Sequence, residues 1–284
     1  MKNRLWILLI ALLSGGCSND SGDAVVISAA SSLTYALEDL VGAYRQANPS
    51  APPLRLNFGA TGVLAQQIRQ GAPVDLFVAA DSREFDSLRL EQYLTDDEIR
   101  FEGRLVIWCR QNAACPENLG QLDQPEIRRI AIAHPEIAPY GQAAVTALQT
   151  LGSHDRLVPR LLQGQTARAA LRYAETGDAD VALTAQSLAQ SVGGRWTAVD
   201  DALYPPIEQG IAVVKPSSQP AQHFFDFVGS PTGRQILDHH GIAVAVEPTV
   251  FTADVLLRQD DLVTHFLSHA PNNDFSALRG EGPL

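Results

Sequence analysis

Cysteine is scarce in this chain, three in 284 residues. No cysteine–histidine spacing resembles a zinc site. Positive charge is also short: 21 Lys and Arg face 32 Asp and Glu, for a formal net charge of -11. That balance argues against nucleic acid as a partner. After the N-terminal segment, no run is long and apolar enough to span a membrane. Nothing resembles a nucleophile set beside its base, so catalysis has little support. The composition that remains is that of a soluble globular protein.

What is present is one chemical phrase written twice: a strand, a turn of small residues with hydroxyls, then a helix. The first copy runs Val25-Val26-Ile27-Ser28-Ala29-Ala30-Ser31-Ser32-Leu33, the second Leu54-Arg55-Leu56-Asn57-Phe58-Gly59-Ala60-Thr61-Gly62. A helix start presents free backbone N–H groups and the positive end of a dipole, which suits an anion. Neither turn carries Lys or Arg, so neutral donors would hold it, against the field of an acidic protein. The plainer alternative is that Ser31, Ser32 and Thr61 merely cap their helices.

The N-terminus reads as an export signal over residues 1–16. Lys2 and Arg4 are basic, Leu5 to Leu13 is apolar, and Ser14-Gly15-Gly16 supplies small residues just before Cys17. The pattern resembles the lipobox of bacterial lipoproteins, which implies cleavage before Cys17 and lipidation of its thiol. An ordinary signal with an incidental cysteine is the alternative. An exported chain meets an oxidising compartment, so Cys109 and Cys115 are expected to close a small disulfide loop rather than stand as two free thiols.

Roughly 265 residues follow the signal, enough for one large domain or two ordinary ones. Strands and helices alternate along them. Strands are expected at 24–30, 54–58 and 75–80, with helices between them and after Asp81, which implies a mainly parallel sheet. Further strands are expected at 105–109, 130–133, 181–184 and 211–214. Helices are expected at 140–151, 167–173, 221–228 and 232–239. Two α/β halves suit this number of elements better than one sheet. Leu256, Leu257, Val263, Phe266 and Leu267 fit one amphipathic helix, and 271–284 reads as a polar tail.

Several segments together carry a resemblance. They are Ala29-Ala30-Ser31-Ser32-Leu33, Phe58-Gly59-Ala60-Thr61-Gly62 and Gln70-Gly71-Ala72-Pro73-Val74-Asp75-Leu76-Phe77. To them belong His134-Pro135-Glu136, Ala138-Pro139-Tyr140-Gly141 and Gly177-Asp178-Ala179-Asp180-Val181-Ala182. Each is weak alone, but their order and spacing from Val25 to Val246 resemble the extracytoplasmic molybdate-binding proteins of ABC importers. The resemblance implies a type II periplasmic-binding-protein fold: two α/β lobes, two crossovers and a ligand cleft between them. The implied lobes are 24–102 plus 212–246, and 103–211, with an extension at 247–284.

The resemblance also implies a ligand set. Ser31 and Ser32 fall on first-turn positions that contact an oxyanion. Thr61 falls on the second hydroxyl of a Phe-Gly-Ser-Ser-Gly pattern in which Ala60 replaces the first. Tyr140 and Ala167 fall where backbone N–H groups meet the ligand. Some members place a tyrosine hydroxyl where this chain has Ala185, and Tyr140 is the residue expected to replace it. No cofactor is implied. The expected partners are molybdate or tungstate, an ABC permease with its ATPase, and a membrane reached through the lipid on Cys17; the chain is expected to be a periplasmic monomer.

Elementary chemistry leads the same way. A fully ionised tetrahedral dianion accepts hydrogen bonds and donates none, so it wants only donors. Phosphate carries a proton at neutral pH and wants an acceptor, and neither hydroxyl turn holds a carboxylate. Sulfate or another oxyanion is the nearest alternative ligand. An enzyme on the same scaffold and a sensory lipoprotein are the alternatives of other kinds. Among lesser candidates, Asp81 is expected to cap a helix, Asp75 to start a strand, His134 to be structural or solvent-facing, and the pair His239-His240 to sit at a helix end.

Overall fold

Val25–Ala30, with its β-branched residues and small side chains, forms the first strand, β1, buried on both faces. It lies between two parallel neighbours, β2 (Leu54–Gly59) and β3 (Leu76–Ala79), so that Ile27 is flanked by Leu56 and Leu76. The computed structural model describes residues 24–244, to which every structural statement here refers. The signal at 1–16, Cys17, and the extension at 247–284 with its amphipathic segment lie outside them.

A turn of 3-10 helix at Ser31–Leu33 leads from β1 into α1 (Thr34–Ala47). α2 (Thr61–Arg69) follows β2, and α3 (Ser82–Leu90) follows β3. The chain then lays down β4 (Ile99–Gly103) and crosses at Arg104 into β5 (Leu105–Cys109), the first strand of a second sheet. β6 (Ile130–Ala133), α4 (Pro139–Thr150), α5 (His154–Leu157), β7 (Leu161–Gly164) and α6 (Ala167–Thr176) come next. They are followed by β8 (Val181–Ala185), α7 (Gln186–Ser191) and β9 (Arg195–Ala198). The chain returns to the first sheet through β10 (Ile207–Val213), then α8 (Gln219–Gly229), α9 (Pro231–His239) and β11 (Ala243–Val244).

The strand orders are β11-β4-β10-β3-β1-β2 and β7-β6-β8-β5-β9. This is a two-lobed α/β fold with two crossovers. It corrects the expectation of mainly parallel sheets. β10 runs antiparallel to both β3 and β4, and β5 antiparallel to β8 and β9, because each crossover strand re-enters its sheet from the opposite end. The lobe boundary expected between 211 and 212 also sits earlier: Ile207 already pairs with Gly103 of the first sheet.

Four strands had no expected counterpart, among them the two-residue β11. β4 alternates Ile99 and Phe101 with Arg100 and Glu102, a half-buried pattern only five residues long. β7 is short, and β9 is a largely exposed edge held by its register with β5, Trp196 opposite Trp108. The helices pack on the sheets with aromatic contacts; Tyr44 of α1 meets Phe224 of α8 edge-on at 5.3 Å. Gly141 lets α4 start hard against β6, since a Cβ there would strike the Ala133 carbonyl. Cys109, at the end of β5, is joined to Cys115 by a disulfide.

Candidate functional site

The helix starts of both lobes converge. Ala30, Ser31 and Ser32, then Gly59, Ala60 and Thr61, come from the first lobe; Ala138, Pro139 and Tyr140, then Thr166 and Ala167, come from the second. With Ala80 they line one cavity of about 10 Å³. No Asp, Glu, Lys, Arg or His is among its lining residues. The neighbouring Arg168 turns its guanidinium away, to Glu175 at 2.7 Å and over the Tyr35 ring.

The hydroxyls do not serve as caps for their own helices. The N-cap positions are Ala30, Ala60 and Ala138, and none makes a side-chain cap bond. Alanine is among the poorest N-caps, worth about 1 kcal/mol less than Ser or Asp. Three such starts around one cavity leave their backbone N–H groups without side-chain caps. Of the helix starts at the cavity, only Thr166 caps in the usual way, accepting from the Ala169 N–H at 3.1 Å.

Each hydroxyl has a distinct situation. Ser32 is 2% exposed, and its Oγ has no hydrogen-bond partner among the described residues. A buried hydroxyl without a partner costs about 1–3 kcal/mol, so this one is poised for something else. Thr61 is 1% exposed and accepts the Ala80 N–H at 3.1 Å, which leaves its own proton to donate. Ser31 accepts the Arg168 N–H at 3.4 Å, again leaving a proton. Neither Tyr140 nor Ala167 uses its backbone N–H in a protein hydrogen bond among the described residues.

The Tyr140 hydroxyl accepts from Gln209 Nε2 at 2.7 Å beside Gly103, at the crossover strands. Burial pushes its pKa well above the usual tyrosine range, and it stays neutral. Tyr204 stitches the same region. It accepts the Leu105 N–H at 3.1 Å and donates to Asp201 at 2.8 Å, and burial, with Asp201 adding to it, pushes its pKa up to about 12.

The lobes meet around the cavity. Ser187 Oγ donates to the Ser32 carbonyl at 2.6 Å, and the Gly62 N–H donates to the Ile137 carbonyl at 3.3 Å. At the rim, Arg83 pairs with Asp81 at 2.8 Å and reaches across to Gln142 Oε1 at 2.6 Å. Cavities of about 370 and 340 Å³ flank this contact.

The lesser candidates lie apart from this cavity. Asp81 caps α3 through the Arg83 N–H at 2.9 Å. Asp75 accepts the Val26 N–H at 2.8 Å, and His134 accepts the Glu136 N–H at 3.3 Å. His240 bridges Asp39 at 2.8 Å and Ser191 at 3.0 Å. No group of three or more His, Cys, Asp and Glu suits a metal ion among the described residues. Sequence reasoning missed Ser187, Gln142 and Gln209. Only Gln209 left a signal, as the one amide inside the strand Ile207–Val213.

A donor-only cavity at the junction of two α/β lobes is what a receptor for a small solute requires. The family model for bacterial extracellular solute-binding proteins matches residues 25–243. The chain belongs to that family. It is a solute-binding protein and not an enzyme. It is 32% identical over 190 residues to the molybdate-binding protein ModA of Rhodobacter capsulatus, covering 65% of this chain and 75% of that one. A second relative, the putative ABC transporter substrate-binding lipoprotein YvgL of Bacillus subtilis, is 27% identical over 245 residues, covering 81% of this chain and 93% of that one. Among solved structures, the periplasmic molybdate-binding protein of Azotobacter vinelandii superposes with a TM-score of 0.71 at 25% identity, covering 78% of this chain and 99% of that one.

Proposed function

We propose that this solute-binding protein captures molybdate, and tungstate with it, outside the cytoplasmic membrane and passes it to an ABC permease driven by its ATPase. The observation that carries the proposal is the lining of the inner cavity: free N–H groups and hydroxyl protons, one of them the unpartnered Ser32 hydroxyl, and no charged side chain. A dianion without protons satisfies every one of these donors, whereas hydrogen phosphate would leave its own proton without a carboxylate acceptor. The molybdate-binding relatives support the same choice.

Ser31, Ser32 and Thr61 act from the first lobe, and the N–H groups of Tyr140 and Ala167 from the second. Only the closed arrangement brings all of them to one ion, so the ion stabilises closure by its differential contacts. Titration calorimetry with molybdate, tungstate, sulfate and phosphate tests the assignment. Molybdate and tungstate are expected to bind with closely similar affinity, sulfate more weakly and phosphate not at all. A preference for sulfate or phosphate would refute it.

The mature protein is held at the membrane by lipid on Cys17, a reading supported by the basic, apolar and small-residue pattern of residues 1–16. Mass spectrometry of the membrane fraction should find an acylated N-terminal cysteine. An unmodified N-terminus at Ser18 or beyond would rule the anchor out.

A further inference from the structure

Gln209 stands opposite Phe101 in the antiparallel pair β10–β4, the two strands through which the chain passes between lobes. Its side chain is 1% exposed. Nε2 donates to the Tyr140 hydroxyl at 2.7 Å, while Oε1 is buried with no partner among the described residues. Tyr140 belongs to the first turn of α4, and its backbone N–H lies at the inner cavity. The contact has no slack. A Cβ on Gly103, the last residue of β4, would run into both the Tyr140 hydroxyl and Gln209 Nε2.

A half-satisfied buried amide is a poor way to fill space, because an apolar pair of similar shape would leave nothing unpaired. A directional bond does what an apolar pair does not: it fixes one lateral position. Here it joins a strand of the first lobe to the donor-bearing start of a helix in the second. Ser32 and Thr61 ride on the first lobe, so the length of this bond sets how far their hydroxyls stand from the Tyr140 N–H.

We propose that Gln209 is a positioning residue for anion capture, acting through the Tyr140 hydroxyl to register the start of α4 against the crossover strands. This rests on the anion reading above. Without the bond, α4 keeps its helix and its N–H groups but loses their placement relative to the first lobe, and errors well under 1 Å matter in such a shell.

Tyr140→Phe, Gln209→Met and the double variant test it, with molybdate as the probe in calorimetry and stopped-flow release, and melting measured beside them. Each single variant strands a buried polar group and should melt earlier. The double variant strands none and should regain the parental melting temperature to within a few degrees. It should nevertheless bind molybdate roughly 5- to 20-fold more weakly, mainly through faster release. A double variant that binds as tightly as the parent overturns the proposal, because the pair then only satisfies its own burial. Should the double variant fail to fold, Gln209→Asn decides. It keeps the amide but withdraws it by one methylene, so weaker binding supports positioning and parental binding overturns it. A parent without affinity for molybdate overturns the anion reading itself, and this inference with it.

Discussion

Thr61 Oγ1 accepts the Ala80 N–H at 3.1 Å, and that bond ties the first residue of α2 to the end of β3. It fixes the hydroxyl's direction. With one acceptor lone pair engaged by the lobe itself, the hydroxyl keeps its proton for the cavity.

Thr61→Ser should therefore keep molybdate affinity within a few-fold, since both functions survive. Thr61→Val removes both. A hydrogen bond to a charged group is worth about 1.5–3 kcal/mol, so binding should weaken roughly ten- to hundredfold. The stranded Ala80 N–H should also lower stability by about 1–3 kcal/mol. Binding and melting measured on both variants check the two effects separately. Equal affinity of Thr61→Val and the parent would remove Thr61 from the shell.

The pH dependence separates site from scaffold. No lining residue titrates near neutrality, and Tyr140 is held neutral by burial, so molybdate affinity should be flat from about pH 6 to 9. Stability should not be flat at high pH. The Tyr204 pKa is raised from 10.0 to about 12, so the neutral phenol is favoured in the folded state. That contribution is complete below about pH 10 and is lost as pH rises through about 12. Melting temperature against pH should fall across that window, with a shallower slope in Tyr204→Phe. An affinity that changes severalfold between pH 6 and 9 would mean a titrating group in the shell.

The Cys109–Cys115 bond closes a loop with a sequence separation of 6 at the end of β5, away from the inner cavity. In the chain-entropy picture so short a loop contributes about 2 kcal/mol. The double Ser variant should melt several degrees earlier and bind the same anions with unchanged order of preference. Denaturation and calorimetry together check this; an altered anion order would place the loop in communication with the site.

Arg83 and Asp81 share a lobe and stay paired whether or not the lobes meet, whereas the bond from Arg83 to Gln142 exists only when they do. It therefore favours closure specifically. Arg83 is largely exposed, so the effect is modest, about 0.5–1 kcal/mol. Gln142→Ala should raise the molybdate release rate about two- to fivefold and leave the association rate and the unliganded melting temperature unchanged. Stopped-flow release measures it, and an unchanged rate would make the contact incidental.

Much of this architecture is legible in the sequence, for identifiable reasons. β3 and β6 are unbroken apolar runs and β1 is broken only by Ser28, and α4 starts at Pro139 and α6 just after the Thr166 cap, so their type and position follow from composition. β9 is not legible, because Arg195–Ala198 is an exposed edge whose strand character comes from pairing with β5. The positions of Ser31, Ser32 and Thr61 at helix starts can be read from their turns. Their protons being free cannot, since this depends on Ala80 and Arg168, residues distant in sequence. The engagement of the Tyr140 hydroxyl by Gln209 is likewise set by how two strands cross, which no local pattern records.

The central claim is that the buried Ser32 hydroxyl, which has no hydrogen-bond partner among the described residues, donates to the anion. Calorimetric molybdate binding by Ser32→Ala, with its melting temperature recorded beside it, tests this most directly. The account predicts affinity lower by roughly ten- to hundredfold, with stability equal to or above that of the parent because an unpartnered polar group has been removed. Parental affinity in a normally folded Ser32→Ala protein would contradict it.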